Sequence, residues 1–195
     1  MKNDVGKKDF FEKFRNLMIY SITSQFYLWR WLQNKENTEI YNKFWYFWWV
    51  VIPSLQQSFL LSLAKTFDKD NKTFSIYSYI RRISSQDKKD SINIELESPK
   101  YKEKIKSLKW WRDKYLAHRE ENFVFSKDEL NNRYPIVYWD IEDLLSFLFR
   151  ILNDTKREFD PTDSTDYFKY YSQLEEWIID DLTGVIKSNK NLFKS

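Results

Sequence analysis

The chain of 195 residues has no cysteine, one histidine, two glycines and four prolines. Without cysteine there is no disulfide framework, no thiolate nucleophile and no cysteine zinc site, and one histidine excludes a histidine-rich metal site. Two glycines exclude a glycine-rich phosphate loop, and the scarcity of glycine and proline favours long helices over a many-stranded sheet. A magnesium site made of carboxylates alone stays open but unsupported, so we predict no metal and no cofactor.

Apolar and aromatic residues are abundant. Hydrophobic residues make up 42% of the chain and aromatic residues 19%, and the length is ample for one domain with its own core. We therefore expect a single folded domain over residues 1–195. The first four residues run into a charged segment with no apolar signal region, which predicts a cytoplasmic protein.

The longest apolar run covers residues 44–52, and polar residues interrupt it after Pro53. A membrane-spanning helix needs about 20 mostly apolar residues. The run therefore favours a buried or interface helix, and contact with a membrane is the less favoured alternative. Because the run is apolar on every side, it predicts a central helix or a subunit contact.

The spacing of apolar residues predicts an all-α fold, specifically an antiparallel helical bundle. The predicted helices cover residues 10–33, about 38–66 with a bend at Pro53, 74–83, 99 to about 118, 140–159 and 164–187. Residues 84–98 are polar and predict a surface connection. Residues 123–125 and 136–138 could form a short strand pair before the helix at 140.

The predicted helix from Pro99 carries the only histidine, His118, which is therefore the only histidine available for proton transfer near neutral pH. On a wheel of about 100° per residue, Arg112 and His118 lie on opposite borders of the apolar face, and Asp113 lies on the far side. That face consists of Tyr101, Ile105, Leu108, Trp111 and Tyr115. Arg112 and His118 are about 9 Å apart along the axis, so a phosphate touched by both would lie at the helix end or between two helix copies.

Charge is distributed unevenly along the chain. Residues 100–119 contain six Lys and two Arg against two carboxylates, whereas residues 160–183 contain seven carboxylates and one Lys. The basic segment could attract an RNA backbone, and exposed aromatic residues could stack on single-stranded bases. The lysines could equally point into solvent without binding RNA.

Structural explanations exist for both candidate residues. His118 could cap the last carbonyls of its helix. Arg112 could form an ion pair with a carboxylate of another helix, such as Glu142 or Asp143. Both explanations stay open from the residue pattern alone.

Arg112 and His118, with five residues between them, resemble the R-x(4–6)-H signature of HEPN domains, which are small helical bundles of prokaryotic toxins and phage-defence proteins. Residues 112–118 read Arg-Asp-Lys-Tyr-Leu-Ala-His and are similar to the abortive-infection subgroup. Residues 61–68, followed by 74–76, resemble the second helix and turn of that subgroup. The resemblance covers about residues 40–155 of a single HEPN-like domain, with helical extensions at both ends.

The resemblance implies a metal-independent endoribonuclease, acting as a toxin or phage-defence effector, in which the ribose 2′-hydroxyl attacks the phosphate. Arg112 and His118 would be catalytic, and Asp113 at most a supporting residue. The implied partners are RNA, a second copy completing the site, and an antitoxin or nucleotidyltransferase. Some members carry a tyrosine two residues after the histidine that a nucleotidyltransferase modifies, but Glu120 holds that position here. The alternative is a non-catalytic helical module that binds nucleic acid or a protein partner.

Overall fold

A computed structural model describes residues 2–33, 45–70, 74–113 and 136–188 of the chain. Its helical elements are α1 (Lys2–Asn16), a π-helical segment (Leu17–Thr23), α2 (Ser24–Leu32), α3 (Trp45–Thr66), α4 (Ile76–Ile80), α5 (Gln86–Leu96), α6 (Pro99–Trp111), α7 (Tyr138–Phe159) and α8 (Tyr167–Ser188). Within these ranges no residue forms a strand. The predicted all-α class is therefore confirmed.

The first three elements form one continuous helical stretch from Lys2 to Leu32. Phe14, Met18, Ile22 and Phe26 recur every fourth residue along it and are fully buried. This spacing places them on one face of a helix, which explains why the amphipathic pattern predicted a helix here.

Helix α7 runs antiparallel to this first stretch, because the end of α7 contacts the beginning of the stretch and the beginning of α7 contacts its end. Phe159 stacks on Phe11 with ring centroids 5.3 Å apart, and Glu142 at the other end is 3.0 Å from Arg30. The core of the bundle is densest along α7, where ten side chains are buried. Helices α1, α6 and α8 pack on α7, whereas α3 packs on α2, the π-helical segment and α6.

Helices α6 and α8 complete the bundle around α7. Tyr101 near the start of α6 contacts Phe147 of α7 at 4.6 Å between ring centroids, and Lys104 reaches Asp140 at 2.8 Å. On α8, Tyr171 stacks on Phe149 at 4.9 Å. Because α6 runs antiparallel to α7, its C-terminal end points away from the middle of α7.

The predicted surface connection over residues 84–98 is wrong, because Gln86–Leu96 forms helix α5. Ser85 precedes the helix, and its side chain accepts a hydrogen bond from the backbone of Lys88, as an N-cap residue does. Only Ile92 and Leu96, one turn apart, are buried. Two apolar positions in a polar segment make too weak a periodic signal for sequence analysis, but they are enough to dock a helix on the bundle.

The strand left open at residues 136–138 does not form. Ile136 and Val137 form no regular structure, and Tyr138 begins α7. The backbone N–H of Val137 donates to Asp140 at 3.2 Å, a contact that organises the start of the helix and leaves no strand pairing for this segment. The other proposed strand, residues 123–125, lies outside the described residues.

The apolar run at the start of α3 is not buried within the chain. Trp45, Tyr46, Phe47 and Trp49 are each more than half exposed, whereas the later part of the helix, around Phe59, is buried. The prediction of a buried helix is therefore wrong for this first part, and a subunit contact remains predicted. By length and composition alone, α3 is the one helix among the described residues that could cross a membrane, and 24% of its apolar window is buried.

Candidate functional site

Helix α6 carries the candidate site at its C-terminal end. Pro99 occupies its first turn, where the missing N–H leaves no hydrogen bond unmade. Its buried residues are Tyr101, Ile105, Leu108 and Trp111. These are the described members of the face predicted from the helical wheel, which is thereby confirmed. Because this face is packed on the bundle, the direction in which the side chain of the next residue, Arg112, projects is fixed.

Arg112 lies at the edge of the packed face, and its side chain is only 20% exposed. Its Nη1 donates to Oδ2 of Asp68 at 2.5 Å, and its Nε donates to Oδ1 of Asp113 at 2.6 Å. The hydrogen bond to Asp113 is the main cause of a raised pKa for Arg112, helped by Asp68 and opposed by burial. The guanidinium group is therefore charged and held by carboxylates from two directions.

Asp68 lies in the turn that follows α3, and its carboxylate is 23% exposed. The two residues before it, Thr66 and Phe67, are fully buried. The backbone N–H of Asp68 donates to the carbonyl of Lys65 at 3.1 Å. The end of α3 is thus anchored in the core, and this anchoring sets the position of the Asp68 carboxylate.

Lys109 is the second cation near this carboxylate. Its Nζ lies 3.8 Å from Oδ1 of Asp68. Burial lowers the pKa of Lys109, the attraction of Asp68 opposes that effect, and the charge of Arg112 adds to it. Two cations of α6 therefore share the single carboxylate of Asp68.

Asp113 has a side chain that is 53% exposed, as expected for a residue opposite the packed face. It nevertheless reaches Arg112, because Nε of that residue lies near the helix surface. Its observed contact is with the guanidinium group of its own helix, which agrees with a supporting position. Whether it contributes to catalysis stays a prediction.

The structural ion pair suggested for Arg112 does form, but its partner is Asp68 in the turn after α3, and the two suggested partners are wrong. Glu142 pairs with Arg30 at 3.0 Å, and Asp143 pairs with Lys104 at 2.5 Å. Both carboxylates lie near the start of α7, which contacts α6 at Lys104, in the first half of that helix. They are thus out of position for the opposite end of α6.

Asp68 is a site residue without a predicted role, although it ends the segment 61–68 that resembles the family. A usable signal was present, since Asp68 is the first carboxylate after Glu39 and follows a long apolar helix. Between residues 45 and 68 it is the only carboxylate, and the segment contains no arginine. It is therefore a candidate partner for an arginine elsewhere in the fold.

His118 lies outside the described residues, as do Tyr115 and Glu120. The predicted pairing of Arg112 with His118 therefore stays a prediction. In the parts of the chain that the structure describes, no group of three or more acidic or histidine side chains is placed to hold a metal ion.

The basic charge of α6 is largely engaged in ion pairs. Carboxylates lie within 4 Å of Lys100, Lys102, Lys104, Lys106 and Lys109. Most of these side chains are exposed, and exposed ion pairs contribute little stability and exchange partners easily. The lysines of this helix could therefore exchange their carboxylate partners for another anion.

Comparison with known proteins places the chain in a family. The family model HEPN_AbiU2, described as AbiU2, matches residues 7–176, which is most of the chain and extends beyond residues 40–155 at both ends. No curated protein and no solved structure matches the chain. The family match includes α6, Arg112 and the segment that ends at Asp68. The chain therefore belongs to the AbiU2 family of HEPN domains, in their abortive-infection subgroup.

Proposed function

We propose that this protein is a metal-independent endoribonuclease that acts as a toxin or phage-defence effector. Family membership supports a role in abortive infection. The observation that carries the nuclease proposal is the guanidinium group of Arg112, which lies at the end of α6 and is held by Asp68 and Asp113. An arginine oriented in this way is suited to bind a phosphate through its other N–H donors.

In the proposed reaction, the ribose 2′-oxygen forms a bond to the adjacent phosphorus while the bond from phosphorus to the 5′-oxygen breaks. His118 takes the proton from the 2′-hydroxyl while water or the His118 of a second copy protonates the leaving 5′-oxygen, or His118 protonates the 5′-oxygen while one of these accepts the 2′-hydroxyl proton. The products are a 2′,3′-cyclic phosphate and a free 5′-hydroxyl, so atoms and protons balance without another reactant.

Arg112 stabilises the negative charge that builds up on the phosphate oxygens. A guanidinium group has five N–H donors in a planar arrangement. Among the described residues, Asp113 and Asp68 accept from two of them, on Nε and Nη1. The remaining donors suit a phosphate. Because the two carboxylates already restrict the side chain, it loses less conformational entropy when a phosphate binds.

The test is to incubate purified protein with single-stranded RNA in excess chelator and to identify the product ends. We expect cleavage that persists in chelator and leaves cyclic phosphate ends. Cleavage that needs added divalent metal would refute the mechanism. Intact RNA with wild-type protein, but stable binding to it, would favour the non-catalytic binding module.

We further propose that the protein is a homodimer in which both copies contribute to the site. The exposed aromatic residues at the start of α3 support a subunit contact, since contiguous exposed apolar surface is typical of interfaces. This surface comprises Trp45, Tyr46, Phe47 and Trp49.

Trp49→Glu is expected to convert the dimer to a monomer, because a carboxylate in an apolar contact loses its hydration without gaining a partner. Light scattering coupled to size-exclusion chromatography measures the mass. Phe168→Glu is the matched control, since Phe168 is another half-exposed aromatic residue but lies on α8. An unchanged dimer for Trp49→Glu would exclude this surface as the interface.

A further inference from the structure

A groove of about 390 Å³ lies along α6 and ends at Asp113, the residue that follows Arg112. Its lining includes four lysines, Lys69, Lys102, Lys106 and Lys109, together with the indole of Trp110 and the carboxylate of Asp113. A groove that combines lysines with the partly exposed indole of Trp110 has the composition of a single-stranded nucleic-acid site. It was not evident from the sequence, because Lys69 comes from the turn after α3.

The groove is continuous with the candidate site through two of its lining residues. Asp113 accepts the hydrogen bond from Nε of Arg112 at 2.6 Å. Lys109 lies 3.8 Å from Asp68, the other carboxylate that holds Arg112. One end of the groove is therefore formed by residues that contact Arg112 or its partner Asp68.

The charges along the groove favour an anion. Its four lysines face two lining carboxylates, Glu97 and Asp113. Glu97 is shared between Lys69 at 3.2 Å and Lys102 at 3.4 Å, and the nearest carboxylate to Lys106 is 3.9 Å away. Ion pairs of this exposed kind are weak. A phosphate backbone could replace them at little cost.

Trp110 lies on the groove side of the helix with Lys106 and Asp113, whereas Arg112, two residues further on, points to the other side and contacts Asp68. Lys106 precedes it by four residues and Asp113 follows it by three, which are the spacings that place side chains next to one another on a helix. The indole therefore adjoins both a lysine that could bind a phosphate and the residue that contacts Arg112. An acidic peptide could use the lysines, but it would bring no base to stack on the indole.

We propose that this groove binds the single-stranded RNA segment next to the scissile phosphate, with one base stacked on Trp110 and the backbone contacting Lys102 and Lys106. The inference rests on the proposed ribonuclease function. It adds a binding site that is separate from the residues of the chemical step.

Binding is measured with full-length His118→Ala protein and a fluorescein-labelled single-stranded RNA in excess chelator, by fluorescence anisotropy at several salt concentrations. Adding Trp110→Leu is expected to raise Kd about tenfold, because the variant keeps apolar bulk but loses the stacking surface. Trp110→Phe is expected to restore most of the affinity. The double variant Lys102→Ala, Lys106→Ala is expected to reduce the slope of log K against log salt by about 1.4, or about 0.7 for each lost phosphate contact.

Lys13→Ala is the matched control for the lysines, since Lys13 is an exposed lysine paired with a carboxylate of its own helix and lies outside the groove. Unchanged affinity and salt slope in the double variant would overturn the inference, and this result decides the case if Trp110→Leu fails to fold. Equal competition by polyglutamate and by RNA, together with an unaffected Trp110→Leu, would identify an acidic protein surface as the ligand instead. If wild type cleaves no RNA but the groove variants weaken RNA binding, the nuclease proposal fails and the groove stands.

Discussion

His118→Ala is expected to reduce the rate of RNA cleavage by about 10²–10⁴-fold, and Arg112→Ala by about 10²–10³-fold. The first change removes the group that transfers the proton, and the second removes the charge that stabilises the phosphate oxygens. Initial rates on a defined single-stranded RNA in excess chelator measure both effects. Arg112→Lys is expected to recover only part of the loss, because an ammonium group cannot reproduce the planar guanidinium contacts.

The matched control for Arg112→Ala is Arg150→Ala. Arg150 also donates to a carboxylate at 2.5 Å, that of Glu95, but it lies on α7 and contacts α5. Both substitutions leave a carboxylate without its arginine, so a general effect of a lost ion pair would appear in both variants. Equal losses of activity would contradict a specific role for Arg112, and activity that survives in both site variants would refute the site.

Asp68→Ala is expected to lower the cleavage rate by about 10²-fold, because displacement of a catalytic group by about 1 Å can have an effect of that size. Asp68 acts as a positioning residue, since its contact is with Arg112 and Lys109. The effect should appear in kcat more than in KM if Arg112 contributes chiefly in the transition state. Asp68→Asn keeps an oxygen acceptor for Nη1 and is expected to recover part of the rate.

Asp68→Ala also leaves the partly buried Arg112 with one carboxylate, so the free energy of unfolding is expected to fall by about 1–3 kcal/mol. Urea denaturation measures this change separately from activity. Asp143→Ala is the matched control, because Asp143 makes an ion pair of 2.5 Å with Lys104 at the opposite end of α6. Wild-type kcat in Asp68→Ala, or an equal loss of kcat in both variants, would exclude positioning of Arg112 as the role of Asp68.

Much of the site helix could be predicted from the sequence. Pro99 marked its beginning, and the periodic spacing of Tyr101, Ile105, Leu108 and Trp111 identified the face that the structure buries. These features are local, since a helix places residues three and four apart on the same side whatever it packs against. The position of Arg112 at the edge of that face followed from the same geometry.

Helix α5 shows where local reasoning fails. Its polar segment has only Ile92 and Leu96 buried, and it packs on α7 partly through polar contacts, such as the ion pair of Lys88 with Glu158 at 2.9 Å. Those partners are 70 positions apart in the sequence. The stability of this helix depends on a neighbouring surface that periodicity does not describe.

Composition and spacing were enough to establish an all-α domain, a single candidate histidine and an arginine at the edge of a packed helix face. The identity of the residue that holds the arginine was not accessible in this way. Asp68 and Arg112 are 44 positions apart and meet because α3 ends, anchored by buried Thr66 and Phe67, beside the end of α6. An ion pair between two helices depends on how their buried faces pack together, and that packing is a property of the whole core rather than of either segment.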